Sequence, residues 1–310
     1  MIYTTDDLIN ALKRNAVVPS SQRKFSDNDL IAFLNEELQL MVSGELMRLN
    51  EEFFVTLTLI PLVANQSRYE LPSKAAGWRI RDVAWLDTLG TYNPLPRMQI
   101  EYITNQDVLS AADHPTSFVL MDDSIKTVPK MGASVVGSLV VFYERLQNNL
   151  VKTDECGQIT DVAIVGTDYH CTLTSLPLSY TSNTDFVSGT GPHGLLAENK
   201  VTTLIAPLVL SVPIGVDFTR VPVIGDWMVR TGNTPIAHIP AEYNIILAML
   251  GAMRYSVASG DTAGVGTITA SLNAMITKLR ERSLNRTKGS PIKIKCKNAV
   301  LNLMRGRLWS

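Results

Sequence analysis

The hydrophobic period changes twice along this 310-residue chain, and that change limits what the chain can fold into. Two helical patterns open it, strand patterns fill the middle, and two more helical patterns come near the end. The first helix is predicted over 5–15. Thr4 or Thr5 caps it, Asp6 and Asp7 sit in its first turn, and Lys13 and Arg14 sit in its last, all favourable to the helix dipole. The second helix is predicted over 26–49, with Ser26 as N-cap, Asp29 at the third position, and Phe25 and Leu30 as a hydrophobic staple. Its apolar stripe is Ile31, Leu34, Leu38, Met41, Val42 and Leu49, which makes a helix roughly 36 Å long.

From Glu51 the pattern favours strands: 53–60, 67–72, 78–86 and 138–145, with a hairpin of 117–121 and 125–128 around Asp122-Asp123-Ser124. A short helix is predicted near 104–112. Residues 151–236 are rich in Thr, Ser and Gly, poor in charge, and broken by Pro177, Pro192, Pro207, Pro213 and Pro222. Strands are predicted there at 159–165, 170–173, 201–204 and 208–212, with a loop over 188–194. Helix returns at Pro240, a residue suited to a first helical position, and residues 243–257 are apolar nearly all round. A last helix over 266–284 carries Ile268, Leu272, Met275, Ile276 and Leu279 on one face.

The predicted fold class is therefore α+β. A four-helix-type bundle comes from both chain ends, with an inserted β-rich, sandwich- or barrel-like domain and an extended C-terminal tail. The divisions are a helical pair over 1–50, a β-rich domain over 51–150, a β-rich lobe over 151–236, a second helical pair over 237–286 and a basic tail over 287–310.

The formal charge of −1 conceals a split. From Lys278 onward ten basic residues face Glu281 alone, a net of +9, and subtracting this from −1 leaves −10 on the preceding chain. In the tail, Ile292 and Ile294 alternate with Lys293, Lys295 and Lys297, and Arg305, Arg307 and Trp309 follow. A tail that only coats DNA has no need of apolar spacing, whereas one that adds a strand to another protein needs both features. These eight residues are the predicted docking site.

Signals for catalysis are poor. His114, His170, His193 and His238 are dispersed, and no pair among Cys156, Cys171 and Cys296 has zinc-finger spacing. His170 and Cys171 are neighbours in a predicted strand, so they point to opposite faces. The loop Gly189-Thr190-Gly191-Pro192-His193-Gly194 lacks the Gly-Lys-Ser/Thr end of a phosphate loop. Asp122 and Asp123 read as turn residues, and Asp82 and Asp87 have no partner in the pattern. No catalytic residue, metal or cofactor is expected, and the chain is not expected to be an enzyme. The most apolar run, 245–253, is too short to span a bilayer, and acid stands where a signal peptide needs base, so a soluble protein of a reducing compartment is expected.

These features together resemble the head-to-tail adaptor (connector) proteins of tailed bacteriophages, the short-tailed type in particular. The resemblance is carried by the opening helix, the Val18-Pro19-Ser20-Ser21-Gln22 break and the Phe25-Ser26-Asp27-Asn28-Asp29-Leu30 helix start. Arg68-Tyr69-Glu70-Leu71-Pro72, Arg79-Ile80-Arg81-Asp82-Val83, the late helix pair and the basic tail follow in order. It covers roughly residues 1–150 and 237–310. The resemblance implies a homo-oligomeric ring of about twelve copies. Such a ring joins the portal protein to a tail hub or nozzle protein and surrounds the channel, in passive contact with duplex DNA. It implies a place in the virion neck, after assembly in the host cytoplasm. Residues 151–236 lie outside the resemblance; their low charge and frequent prolines predict a separable β-rich lobe that meets a capsid or tail-fibre partner. The competing reading is a β-sandwich carbohydrate- or receptor-binding module of a phage or bacterial surface structure, which would cluster surface aromatics among Tyr169, Tyr180, Phe186, Phe218 and Trp227.

Overall fold

The computed structural model describes residues 3–19, 24–45, 54–102, 111–189, 195–214 and 220–284. It is a mixed α/β chain with several antiparallel sheets and a few helices. Helices come from both ends of the chain: α1 (Thr5–Asn15), α2 (Asp27–Glu37), α3 (Ala241–Ser259) and α4 (Thr262–Leu284). Both N-terminal helices begin with a reciprocal capping box. Thr4 Oγ1 accepts from the Asp7 N–H while Asp7 accepts from the Thr4 N–H, and Ser26 and Asp29 repeat the arrangement. The bond from Ser26 holds the Asp29 carboxyl below the usual carboxylate range. Phe25 makes its ring contacts edge-on with Phe33 and Tyr255, at 5.7 and 5.4 Å between centroids.

The helices are organised around α3, which packs against α1, α2 and α4. Leu8, Leu12, Leu34, Leu38, Leu247 and Leu272 belong to one buried cluster that also takes in Phe54 and Leu150 from outside the helices. Gly251 of α3 makes the close approach possible: a Cβ there would lie 2.8 Å from Leu12 Cδ1 and 2.9 Å from Leu34 Cδ2.

Three sequence expectations for the helices change. The second helix is not α-helical throughout: its ladder opens into a π-helical turn over Leu38–Val42, where both the N–H and the hydroxyl of Ser43 donate to Leu38 O. Residues 46–49 of that expectation lie outside the described residues. The last helix begins at Thr262 rather than 266, because the Asp261 carboxylate accepts from Gly264 N–H at 3.0 Å and caps a start that Gly264 and Gly266 conceal in the sequence. The helix expected near 104–112 falls mostly outside the described residues, and its end, Ala111–Ala112, is a strand paired in parallel with Lys130–Met131.

Strands are numbered in chain order. A four-stranded antiparallel sheet has the order β1 (Val55–Pro61), β9 (Ser138–Arg145), β3 (Ala75–Leu86), β4 (Tyr92–Pro94). Beside it lies a three-stranded sheet of β2 (Arg68–Glu70), β7 (Ser124–Val128) and β6 (Ser117–Met121). The predicted hairpin turn at Asp122-Asp123 is present, with Asp122 at a positive φ of 57°. Tyr69, Val83, Phe118, Ile125, Leu139 and Val141 form the shared core of the two sheets. The pair Ala111–Ala112 (β5) and Lys130–Met131 (β8) adjoins β7.

Residues 157–230 form a seven-stranded sheet. Its order is β14 (Leu195–Val201), β13 (Asn183–Val187), β17 (Trp227–Arg230), β11 (Gly157–Val165), β12 (Asp168–Leu173), β16 (Val209–Pro213), β15 (Thr203–Ala206). Its first and last strands are consecutive in the chain and separated by Thr202 alone, so the sheet is rolled until its margins meet. The strand expected over 201–204 is therefore divided. Buried Thr202 donates its N–H to Ser182 O at 2.6 Å, and its hydroxyl meets Tyr180 OH at 2.9 Å. Tyr169, Cys171, Phe186, Leu196, Leu210 and Met228, from both halves of the roll, fill one core. A parallel pair, β10 (Asn149–Leu150) with β18 (Asn233–Thr234), sets the departing and returning chain side by side.

Candidate docking interface

The eight predicted docking residues, Ile292, Lys293, Ile294, Lys295, Lys297, Arg305, Arg307 and Trp309, lie outside the described residues. His193 and Cys296 lie outside them too, and the described residues weighed beside them take structural places. Asp82 accepts from the Val83 N–H, and Asp87 accepts from the Leu89 and Thr91 N–H groups of its turn. His114 stacks on Trp85 at 4.9 Å, and His170 lies on the face of β12 opposite buried Cys171. Burial pushes the Cys156 and Cys171 thiols up to about 12. Among the described residues no group of three His, Cys, Asp or Glu side chains could hold a metal ion.

A polar junction ties the modules together, and no sequence pattern announces it. Asp185 of β13 is fully buried and accepts from Asn199 N–H at 2.7 Å, Gly232 N–H at 3.0 Å and Asn148 Nδ2 at 3.1 Å. Lys74, just before β3, lies 3.4 Å from Asp185 and also pairs with Glu198 of β14. Arg145, at the end of β9, donates to Asn148 at 2.8 Å. Four-stranded sheet and rolled sheet thus meet through paired charges. The His238 ring touches Thr234 Oγ1 at 3.2 Å, and burial, with the nearby Arg145 and Lys74 charges, pushes its pKa down to about 3. On the helical side, Asn35 of α2 both accepts from Leu150 N–H at 2.7 Å and donates to Leu150 O at 3.1 Å.

A second clamp closes one end of the roll. Arg220 grips the buried Asp226 carboxylate with two bonds, 2.8 and 2.7 Å, and reaches Ser188 Oγ at 2.8 Å. Asp226 also accepts from the Gly189 and Val223 N–H groups. Gly189 is obligatory there, since a Cβ would lie 1.8 Å from Gly225 O. The Gly-rich segment singled out in the sequence is thus anchored at its start by a carboxylate that takes up the Gly189 N–H, and its residues 190–194 lie outside the described residues.

Among the concave surfaces of the described residues, two lie beside the helical core and the sheets. A 260 Å³ apolar groove between α3, α4 and the end of α2 is lined by Val42, Tyr243, Leu250, Leu272 and Ile276, with Glu45 and Arg280 paired beside it. The other, an open groove of about 760 Å³, runs between β1 and the three-stranded sheet. Thr58, Ile60, Tyr69 and Leu71 line it together with Arg68, Glu70, Asp122 and Asp123. A scan against protein-family models finds no match to this chain, and a search of curated proteins finds none either.

Proposed function

We propose that this chain is a structural head-to-tail adaptor of a tailed phage, acting as a ring of about twelve copies between portal and tail. The observation that carries the reading is the helical core: four helices from the two ends of the chain share one apolar cluster, and each β module has a core of its own. In this reading the helices form a four-helix-type bundle that packs side by side with its copies around the DNA channel. The split of −10 on the body against +9 on the tail supports it, because an acidic wall lets duplex DNA pass without sticking. The basic tail docks on the portal, and the rolled sheet faces tail or capsid components.

The carbohydrate- or receptor-binding alternative would cluster aromatics on the surface, and of its five candidates Phe218 lies outside the described residues. Tyr169 and Phe186 are buried in the core of the rolled sheet, the Tyr180 hydroxyl is tied to Thr202, and Trp227 packs on the small core of Cys156, Val187 and Val229. Negative-stain images of the purified protein with short-tailed-phage portal rings test the adaptor reading. Rings stacked coaxially on the portal are expected. A protein that stays monomeric and leaves every portal bare would overturn it.

A further inference from the structure

We infer that residues 292–297 of this chain's own C-terminus add as a strand to the free edge of β1. β1 ends its sheet, with β9 as its one neighbour in the strand order. Phe54 O accepts from Arg145 N–H at 2.9 Å, and Leu62 N–H donates to Gly137 O at 3.1 Å. Even-numbered residues from 54 to 62 therefore turn their backbone groups toward β9, and Val55, Leu57 and Leu59 turn theirs away from it. Among the described residues no backbone group pairs with these three. The edge from Val55 to Leu59, before Pro61, is long enough to take a further strand, whereas β4 at the opposite margin is three residues long.

The two faces of that edge differ in chemistry. Leu57 and Leu59 stand on one face, 46% and 45% exposed. The other face, with Thr58 and Ile60, opens into the 760 Å³ groove, where the exposed acids Glu70, Asp122 and Asp123 outnumber Arg68. A complementary strand needs apolar residues at every second position and cations between them. Residues 292–297 read Ile-Lys-Ile-Lys-Cys-Lys. Ile292, Ile294 and Cys296 would extend the leucine row, and Lys293, Lys295 and Lys297 would hang over the acids.

The reach is short. Arg280 of α4 pairs with Glu45 beyond α2, and Phe54, the residue before β1, lies in the same core as Val42, with Leu279 packed against it. From Leu284 to Ile292 is eight residues, up to about 28 Å of extended chain. A tether of this length gives an effective concentration on the order of millimolar, which favours the chain's own tail over that of a second copy. The inference holds without the adaptor reading. If that reading is also right, the same residues rest on β1 until a portal edge takes them.

The test uses the full chain and needs no portal, so its outcome is independent of the adaptor proposal. Val55→Cys, Leu57→Cys and Leu59→Cys each add one thiol to the row that Cys296 would join, and buried Cys156 and Cys171 stay out of reach of oxidant. Mild oxidation of dilute protein should give, for at least one of the three, a monomeric disulfide to Cys296. Thr56→Cys and Thr58→Cys, on the other face, should give several-fold less. Lys293→Glu with Lys295→Glu, or added salt, should reduce the yield several-fold. Disulfide-linked dimers as the main product, equal yields on both faces, or no Cys296 disulfide would each overturn the inference. Hydrogen exchange of the chain without added cysteines gives a second reading. Leu57 and Leu59 amides should be protected, and the double Lys→Glu variant should release them; fast exchange before that change would overturn the inference equally.

Discussion

His238 is a base kept neutral by its surroundings. Mostly buried and held by Thr234 Oγ1, it has a pKa of about 3 in the folded chain against an ordinary 6.5. Below pH 6.5 the unfolded chain takes up a proton that the folded chain refuses, so stability falls as pH drops from about 6.5 toward 3. The slope from this one group reaches about 1.4 kcal/mol per pH unit. Urea unfolding between pH 7.5 and 5 should show the decline, and His238→Gln should flatten it; a profile identical in the two proteins would contradict the assignment. The sequence offers no hint of this role. His238 stands three residues from the α3 start in an unremarkable segment, and the Arg145 and Lys74 charges that oppose its protonation arrive from distant parts of the chain.

Helix packing around α3 turns on one missing side chain. A Cβ at Gly251 would press on Leu12 and Leu34, both fully buried with nowhere to retreat. Gly251→Val should cost about 1–3 kcal/mol in denaturant unfolding. An unchanged midpoint would mean that α1 and α2 can shift outward freely. Local signals made much of this level legible. Ser26 with Asp29, the Asp122-Asp123 turn and the strand over 138–145 all depend on residues within a few positions of one another. What stayed hidden depends on distant partners. β13 and β14 carry Asn183, Thr184, Asp185, Glu198 and Asn199, which spoil the apolar alternation because Asp185 and Glu198 face Lys74. The π-helical turn after α2 has no pattern of its own, and it lies where buried Glu37 meets Arg254 of α3. As for the candidate site, the alternation in the tail is visible in the sequence, but the edge and groove that fit it are assembled from β1, β2 and the β6–β7 turn.

Over the whole molecule, Asp185 is the tie between the two β modules. Asp185→Ala would leave the part-buried Asn199 and Gly232 N–H groups without their acceptor, at a cost of about 1–3 kcal/mol for each unpaired group. It would also loosen Lys74 and Asn148, which keep Glu198, Arg145 and Asn233. Calorimetry should then show the rolled sheet melting apart from the rest, and a single unshifted transition would refute the tie. The position of α3 has a consequence for synthesis. α1 and α2 are complete by residue 45, yet the helix that buries their apolar faces begins at Ala241. At about 5–20 residues per second, roughly 10–40 seconds separate the two events on the ribosome. The rolled sheet, contained within residues 157–230, can close during that interval, while Leu8, Leu12 and Leu34 wait uncovered. A nascent chain of this design makes the apolar faces of its first two helices early and covers them last, so its yield in the cell depends on what shelters its beginning until its end is made.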